Sequence, residues 1–395
     1  MTAPPCPSCG DPRTEVFCAL RQLPVHGTAV FETAEQARAL RRADQVLAVC
    51  SACAFVFNSA FDPSLLDYSS AHEESQAAST TFRAFAGDLA AGWVQRYRLE
   101  GQVVLEVGCG KGDFLGLLAQ AGVARAHGVD PGLDPARLPQ HPAVTGEAAW
   151  FGPSEVAREA AAVVCRHTLE HVPDITGFLD GVLTAVDPAR CRALLFEVPD
   201  VGRVLAEAAF WDLSYEHCSH FTATSLRALF VRHGVDVLDV RRVYGGQYLV
   251  LEAAPAGSSG PAPSSEDAAA PVEPVERVVE RCRAFARAVE EQLAHWDAWF
   301  AARAAADEQV VVWGGGSKGL VFLSALPETG VRRVVDINPG LQGRWMGGAA
   351  VPIVAPQALV DDPPAVVLLM NGIYRDEVRR TLDDLGLSDV ALMAL

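Results

Sequence analysis

The sequence predicts an α/β protein: two doubly wound units preceded by a small cysteine-rich lobe. Three observations carry this expectation. Short apolar runs alternate with helical patterns from Val103 to about Ala253 and again from Val310 onward, as in parallel sheets covered by helices. Each series opens with a strand that runs into a glycine-rich turn, at Gly108 and at Gly314. Two Cys-x-x-Cys pairs precede both. The 395 residues exceed one ordinary domain, and a composition that is 50% hydrophobic and 21% charged can bury real cores. The expected division is residues 1–62, 63–253, a linker or loop at 254–272, and 273–395.

Charge and composition narrow the function. A net charge of −17 disfavours nucleic acid and anionic membranes as partners, and no uncharged apolar run reaches the roughly 18 residues of a membrane span. The opening Met-Thr-Ala-Pro-Pro-Cys has neither the basic nor the apolar stretch of a signal peptide, so a cytoplasmic location is expected. Thiols stay reduced there, and the ten cysteines read as metal ligands, core residues or surface thiols. A small-molecule acceptor and a monomer or weak dimer complete the expectation.

The cysteine pairs come first. Cys6-Pro-Ser-Cys9 and Cys50-Ser-Ala-Cys53 can each place two thiolates on one tight turn, and two such turns complete a zinc tetrahedron. Four thiolates leave no open position, so the expected zinc is structural. Cys18, Cys109, Cys165, Cys191, Cys218 and Cys282 lack such spacing and read as core or incidental. Phe82 to Tyr97 shows helical spacing of apolar residues.

Expected strands follow at Val103–Val107, Ala126–Val129, Ala161–Cys165, Ala193–Val198, Val235–Val243 and Tyr248–Ala253. The first runs into Gly108-Cys109-Gly110-Lys111-Gly112-Asp113, where glycines let the backbone approach a ligand and a helix N-terminus faces it. Glu106 is an acid in that otherwise apolar strand. Asp130 closes the second strand, a position suited to ribose hydroxyls. Glu-Val-Gly-Cys-Gly-Lys-Gly together with Asp130 resembles the class I S-adenosylmethionine-dependent methyltransferases. The resemblance implies that Glu106, Gly108, Cys109, Gly110, Gly112 and Asp130 hold the methyl donor. It also sets Cys165-Arg-His167-Thr-Leu-Glu-His171 beside that donor.

Glu197-Val-Pro-Asp200 should end a strand at the ligand-binding edge of the sheet. Shortly after it, Tyr215, Glu216, His217 and His220 gather within six residues. A histidine beside a carboxylate can serve as a general base near neutrality.

Residues 254–271 form the single low-complexity tract, and a long helix from Val275 to about Ala305 is expected after it. The second α/β unit should place strands at Val310–Trp313, Val331–Asp336, Ala365–Met370 and Val390–Met393. Gly314, Gly316 and Gly319 fit Gly-x-Gly-x-x-Gly with Asp336 downstream, which by itself suits a dinucleotide. Lys318 at the helix start could instead neutralise a substrate diphosphate. Ser317, Asn338, Asn371 and Tyr374 would flank the same edge.

Taken in order, these pieces resemble the three-part C-methyltransferases of deoxysugar biosynthesis, which act on nucleotide-linked 4-keto sugars. The resemblance covers nearly the whole chain and rests on the four paired cysteines, Leu105-Glu-Val-Gly-Cys-Gly, Leu169-Glu-His171, Glu216-His217 and Gly314-Gly-Gly-Ser-Lys-Gly. It implies His217 as the base that forms an enolate, Glu216 as its partner and His171 as the oxyanion stabiliser. It also implies that Tyr68, His72, Ser75 and Gln76 belong to a segment closing over donor and acceptor. Two positions depart from the family: Ser214 stands where its Tyr-x-Glu-His motif begins, leaving Tyr215 as the neighbouring hydroxyl, and His72 stands where a tyrosine is usual. An O- or N-methyltransferase, or a zinc-containing dinucleotide oxidoreductase, is the alternative.

Overall fold

A computed structural model describes residues 3–66, 75–256, 272–326 and 328–395. Its largest sheet has seven strands in spatial order Asp236–Val243, Tyr248–Ala254, Ala193–Pro199, Ala162–Arg166, Val103–Val107, Arg125–Val129 and Val144–Glu147. The five strands from Ala193–Pro199 onward pair in parallel, whereas Tyr248–Ala254 runs antiparallel to both its neighbours. Numbered along the chain, the order is 3-2-1-4-5-7-6, with the first and fourth strands side by side in its interior. This is the doubly wound, mostly parallel sheet that the alternating strands and helices of the sequence predict. Its inner strands are almost wholly apolar because both faces are covered; Glu106 is the exception in Val103–Val107.

The N-terminal lobe holds more regular structure than its cysteine-punctuated sequence suggests. Thr14–Pro24, Arg42–Cys50 and Val56–Asn58 form an antiparallel sheet whose fourth strand, Ser219–His220, comes from the methyltransferase unit. Register shifts between Val16 and Cys18 and between Leu20 and Leu23 break the two-residue alternation of the first strand. That hides it from a pattern-based reading.

Beyond the helix Val275–Ala305, five parallel strands are ordered Ile353–Val354, Val334–Val335, Val310–Trp313, Val366–Leu369 and Ala391–Ala394. The strand expected at Val331–Asp336 is only two residues long. A further pair, Trp345–Met346 with Val30–Phe31, ties this unit to the N-terminal lobe. One apolar cluster also joins them: Leu20 and Leu23, Phe210 and Trp211, Trp296, and Phe322 belong to the same core. Phe322 stacks on Phe210 at 5.9 Å and meets Trp296 edge-on at 5.3 Å. Among the described residues no helix is long and apolar enough to cross a membrane.

This packing turns two sheets toward one space. Val107, Val129, Arg166 and Pro199 at the ends of the first sheet's strands, and Trp313 and Leu369 of the second, line a single cavity of about 1260 Å³. Ligands of open α/β sheets bind at such carboxyl edges.

Candidate active site

At the first glycine loop, the backbone itself explains the glycines. Gly108 has φ +74°, and a Cβ there would fall 2.0 Å from Thr168 Oγ1. Gly110 and Gly112 are also left-handed, at φ +52° and +81°. Asp130 fastens this loop: Oδ2 accepts from the Gly110 amide at 3.0 Å and Oδ1 from the Gly132 amide at 2.7 Å. Cys109 is buried, and its Sγ fills the space that a side chain at Gly128 would need. Glu106 is buried, its Oε2 has no hydrogen-bond partner among the described residues, and burial pushes its pKa up to about 8.

His167 stands at the rim in a left-handed conformation, φ +50°. Burial disfavours its charged form, but Glu197, with Oε1 3.3 Å from Nε2, and Glu170, 3.7 Å from Nδ1, raise its pKa to about 9. Arg166 donates to the other Glu197 oxygen at 2.6 Å and lies over the Phe114 ring at 4.1 Å.

Ser75 and Gln76 stitch the two units together. Ser75 Oγ donates to Asp113 Oδ2 at 2.6 Å, and its carbonyl accepts from Asn338 Nδ2 at 3.2 Å. Gln76 Oε1 lies 3.3 Å from the Tyr374 hydroxyl and 3.5 Å from that of Tyr248. Tyr68 and His72 lie outside the described residues.

The histidine-bearing side of the cavity differs from the sequence expectation in three places. Glu216 does not pair with His217. Its Oε1 lies 3.0 Å from Nδ1 of His26, supplied by the N-terminal lobe. The carboxylate grouped with His217 is Glu170: one atom each of Glu170, His171 and His217 lies within 4.8 Å of the others. The His171 and His217 rings meet edge-on at 4.8 Å. Burial and the nearby His171 hold the His217 pKa down at about 4.

Second, Tyr215 turns away from the cavity. Its hydroxyl oxygen accepts from the Asp62 amide at 2.9 Å and its ring packs on Phe61. Ser214 lines the cavity instead, and its Oγ has no hydrogen-bond partner among the described residues. Third, His220 is buried behind the cavity in the strand Ser219–His220, with Nε2 3.2 Å from Gln45 Nε2. Pairing of His220 with Val56 at the edge of the four-stranded sheet holds it there.

The second glycine loop faces the same cavity. Gly314 has φ +125° and approaches Met370, while Gly319 comes so close to the Gly314 carbonyl that a Cβ would lie 2.2 Å from it. Gly316 and Ser317 open the helix Ser317–Ala325 into the cavity, and the N-cap residue Gly316 has no side chain to cap that end. Asp336 accepts from the Gly315 and Asn338 amides at 2.6 and 2.7 Å. Asn371 lines the cavity and accepts from the Ile373 amide at 3.2 Å. Lys318 is already engaged, 2.6 Å from Asp212 Oδ1 and 2.7 Å from Gln247 Oε1. Arg203 grips the other Asp212 oxygen, so two cations share one buried carboxylate at the cavity wall.

The cysteine pairs converge as expected. Cys6 and Cys53 sulfurs are 3.7 Å apart, as are those of Cys9 and Cys50, and all four lie within 4.8 Å of one another. A zinc tetrahedron with bonds of about 2.3 Å has edges of about 3.8 Å, so the set can hold that ion. The first knuckle is pinned to the helix Ala223–Arg232, where Arg232 donates to Ser8.

Sequence reasoning missed His26, Glu170, Arg203, Asp212 and Gln247. Glu170 was inside the Leu-Glu-His stretch and Asp212 beside Phe210-Trp211, so a charge within an apolar run marked both. His26 carries no local signal.

Residues 82–240 match a methyltransferase domain family, and residues 270–392 match the C-methyltransferase C-terminal domain family. The chain is 30% identical over 293 residues to the C-methyltransferase NovU of Streptomyces niveus, a match covering 71% of this chain and 68% of that one. Among solved structures, a magnesium protoporphyrin IX methyltransferase from Synechocystis is 16% identical. It has a TM-score of 0.34 and covers 44% of this chain and 83% of its own. A mitomycin 7-O-methyltransferase is likewise 16% identical, with a TM-score of 0.35 and coverage of 44% and 53%.

Proposed function

This chain belongs to the S-adenosylmethionine-dependent C-methyltransferases, and on that premise we propose that it methylates the carbon beside the ketone of a nucleotide-linked keto sugar. The observation that carries the reading is the common cavity. The donor loop at Gly108–Gly112, the His171–His217 pair and the second glycine loop at Gly314–Gly319 all line it.

S-adenosylmethionine, when bound, supplies a sulfonium methyl group that a carbon nucleophile can take. Gly108, Gly110 and Asp130 hold that donor, with Glu106 and His167 beside it. His217, neutral in the resting site, removes the proton next to the ketone, and His171 stabilises the oxygen charge that develops. Gly316, Ser317 and Lys318, with Arg203, face the nucleotide diphosphate through a helix N-terminus and a carboxylate-bridged cation pair. Cys6, Cys9, Cys50 and Cys53 hold a structural zinc away from the chemistry.

Proton exchange tests this reading. With S-adenosylhomocysteine and a nucleoside-diphosphate-linked 4-keto sugar in deuterated water, the protein should exchange the proton beside the ketone. His217→Ala should reduce exchange and methylation by roughly 10²–10⁴-fold, the contribution of a general base. Methylation of an oxygen or nitrogen without carbon-proton exchange would overturn it.

A further inference from the structure

The geometry points to Glu170 as the positioning residue for the base: its buried carboxylate is the counter-ion that lets His217 carry the proton it removes. The inference rests on His217 being that base.

Glu170 lies in the turn Leu169–His171 after the strand Ala162–Arg166, and its side chain is only 2% exposed. Buried charges are costly unless compensated. Here the compensation comes from imidazoles: His167 Nδ1 at 3.7 Å, and His171 and His217 within the 4.8 Å cluster. Oε2 has no hydrogen-bond partner among the described residues, so the carboxylate holds an acceptor in reserve. Burial works against its ionised form, yet the three histidines keep its pKa below the usual carboxylate value.

The requirement for such a group follows from the surroundings of His217. His171 and His167 oppose a charge on its ring, and burial opposes it further. His220, behind it, is itself disfavoured as a cation by His217. Glu170 and Glu216 are the acids that favour it, and Glu216 is already paired with His26. Asp212, which shares a small pocket with both residues, is bound by Lys318 and Arg203. When the acceptor C–H bond breaks, its electron pair stays on the acceptor as enolate and the proton passes to the His217 ring. The imidazolium then stands beside Glu170, which remains ionised.

The test is Glu170→Gln in the full-length protein, with thermal melts confirming that it folds. Exchange of the acceptor proton should fall roughly 10- to 100-fold, since losing an opposite charge at this range lowers a pKa by about 1–3 units. The acid limb of the kcat profile should move to lower pH, while S-adenosylhomocysteine affinity and acceptor KM stay unchanged. Glu170→Asp, which keeps the charge, should recover part of the rate. Unchanged exchange and an unchanged pH profile in Glu170→Gln, alongside lost exchange in His217→Ala, would overturn the inference and leave the base in place. Retained exchange in His217→Ala would instead remove the base assignment itself. Should Glu170→Gln fail to fold, carboxyl-labelled glutamate in the wild-type protein gives the answer, with the signal assigned by its disappearance in Glu170→Asp. That resonance should shift as the His217 ring titrates, and a resonance blind to His217 would overturn the inference.

Discussion

Glu216 and His26 are 190 positions apart in sequence, yet Oε1 and Nδ1 meet at 3.0 Å inside the protein. The N-terminal lobe thereby reaches the loop that carries Glu216 and His217 directly, through a residue that follows its first strand. Burial opposes the ionised Glu216, but the His26 hydrogen bond and the nearby His171 outweigh it and hold the pKa below 4.5.

A double-mutant cycle should expose this link. His26→Ala and Glu216→Gln should each destabilise the protein, by about 1.5–3 kcal/mol for a hydrogen bond to a charged group. Their combination should cost clearly less than the sum, because both remove one contact. Because the folded pKa of Glu216 is depressed, its contribution is present above the unfolded value of 4.5 and is lost as pH falls through the folded one. Denaturant melts across that range should show the difference, and additive losses would contradict it.

The donor loop gives a steric and an electrostatic prediction. Gly108→Ala combines a left-handed φ with a collision at Thr168, and should abolish measurable affinity for S-adenosylhomocysteine. Asp130→Ala removes the acceptor of the Gly110 and Gly132 amides and the carboxylate proposed to meet the donor ribose. It should weaken that affinity by roughly 1.5–3 kcal/mol in calorimetry. Full affinity in both variants would place the donor elsewhere.

Glu106 makes donor binding pH-linked. With its pKa raised to about 8, it is mostly protonated at neutral pH, and the arrival of a cationic donor favours its ionised form. Calorimetry of S-adenosylmethionine at pH 7 in buffers of different ionisation enthalpy should show release of up to about one proton. Glu106→Gln should remove that release. In the free protein the sign is opposite to that of Glu216: the contribution of Glu106 is full below 4.5 and is lost as pH rises through 8.

Metal analysis should find one zinc per chain. Cys50→Ser should lose it and lower the melting temperature, since the knuckle bearing Cys6 and Cys9 is anchored by Arg232 to the helix Ala223–Arg232. Less than half a zinc per chain, with no change on substitution, would contradict a bound ion.

Lys318→Ala should raise the acceptor KM and leave S-adenosylhomocysteine affinity untouched. Asp212 would keep only Arg203, and the charge balance facing the acceptor would drop by one. Steady-state kinetics with varied acceptor, beside donor calorimetry, separate the two.

The sequence by itself determined what depends on a few consecutive residues. Gly108 and Gly314 mark turns that need left-handed backbone, Asp130 and Asp336 close the strands beside them, and two Cys-x-x-Cys turns can only gather sulfurs. The apolar runs between them fixed the parallel sheets and the helix Val275–Ala305, because strand and helix periods are written locally. Tertiary structure decided which neighbour of a motif faces the cavity. Ser214 lines it while Tyr215 turns to Asp62, and His217 faces it while His220 is drawn into a sheet edge with Val56. It also decided the partners, His26 for Glu216 and Asp212 for Lys318, and it set Glu170 beside His217. Those pairings depend on where whole sheets dock, and a hydrogen bond across 190 positions leaves no trace in either local segment.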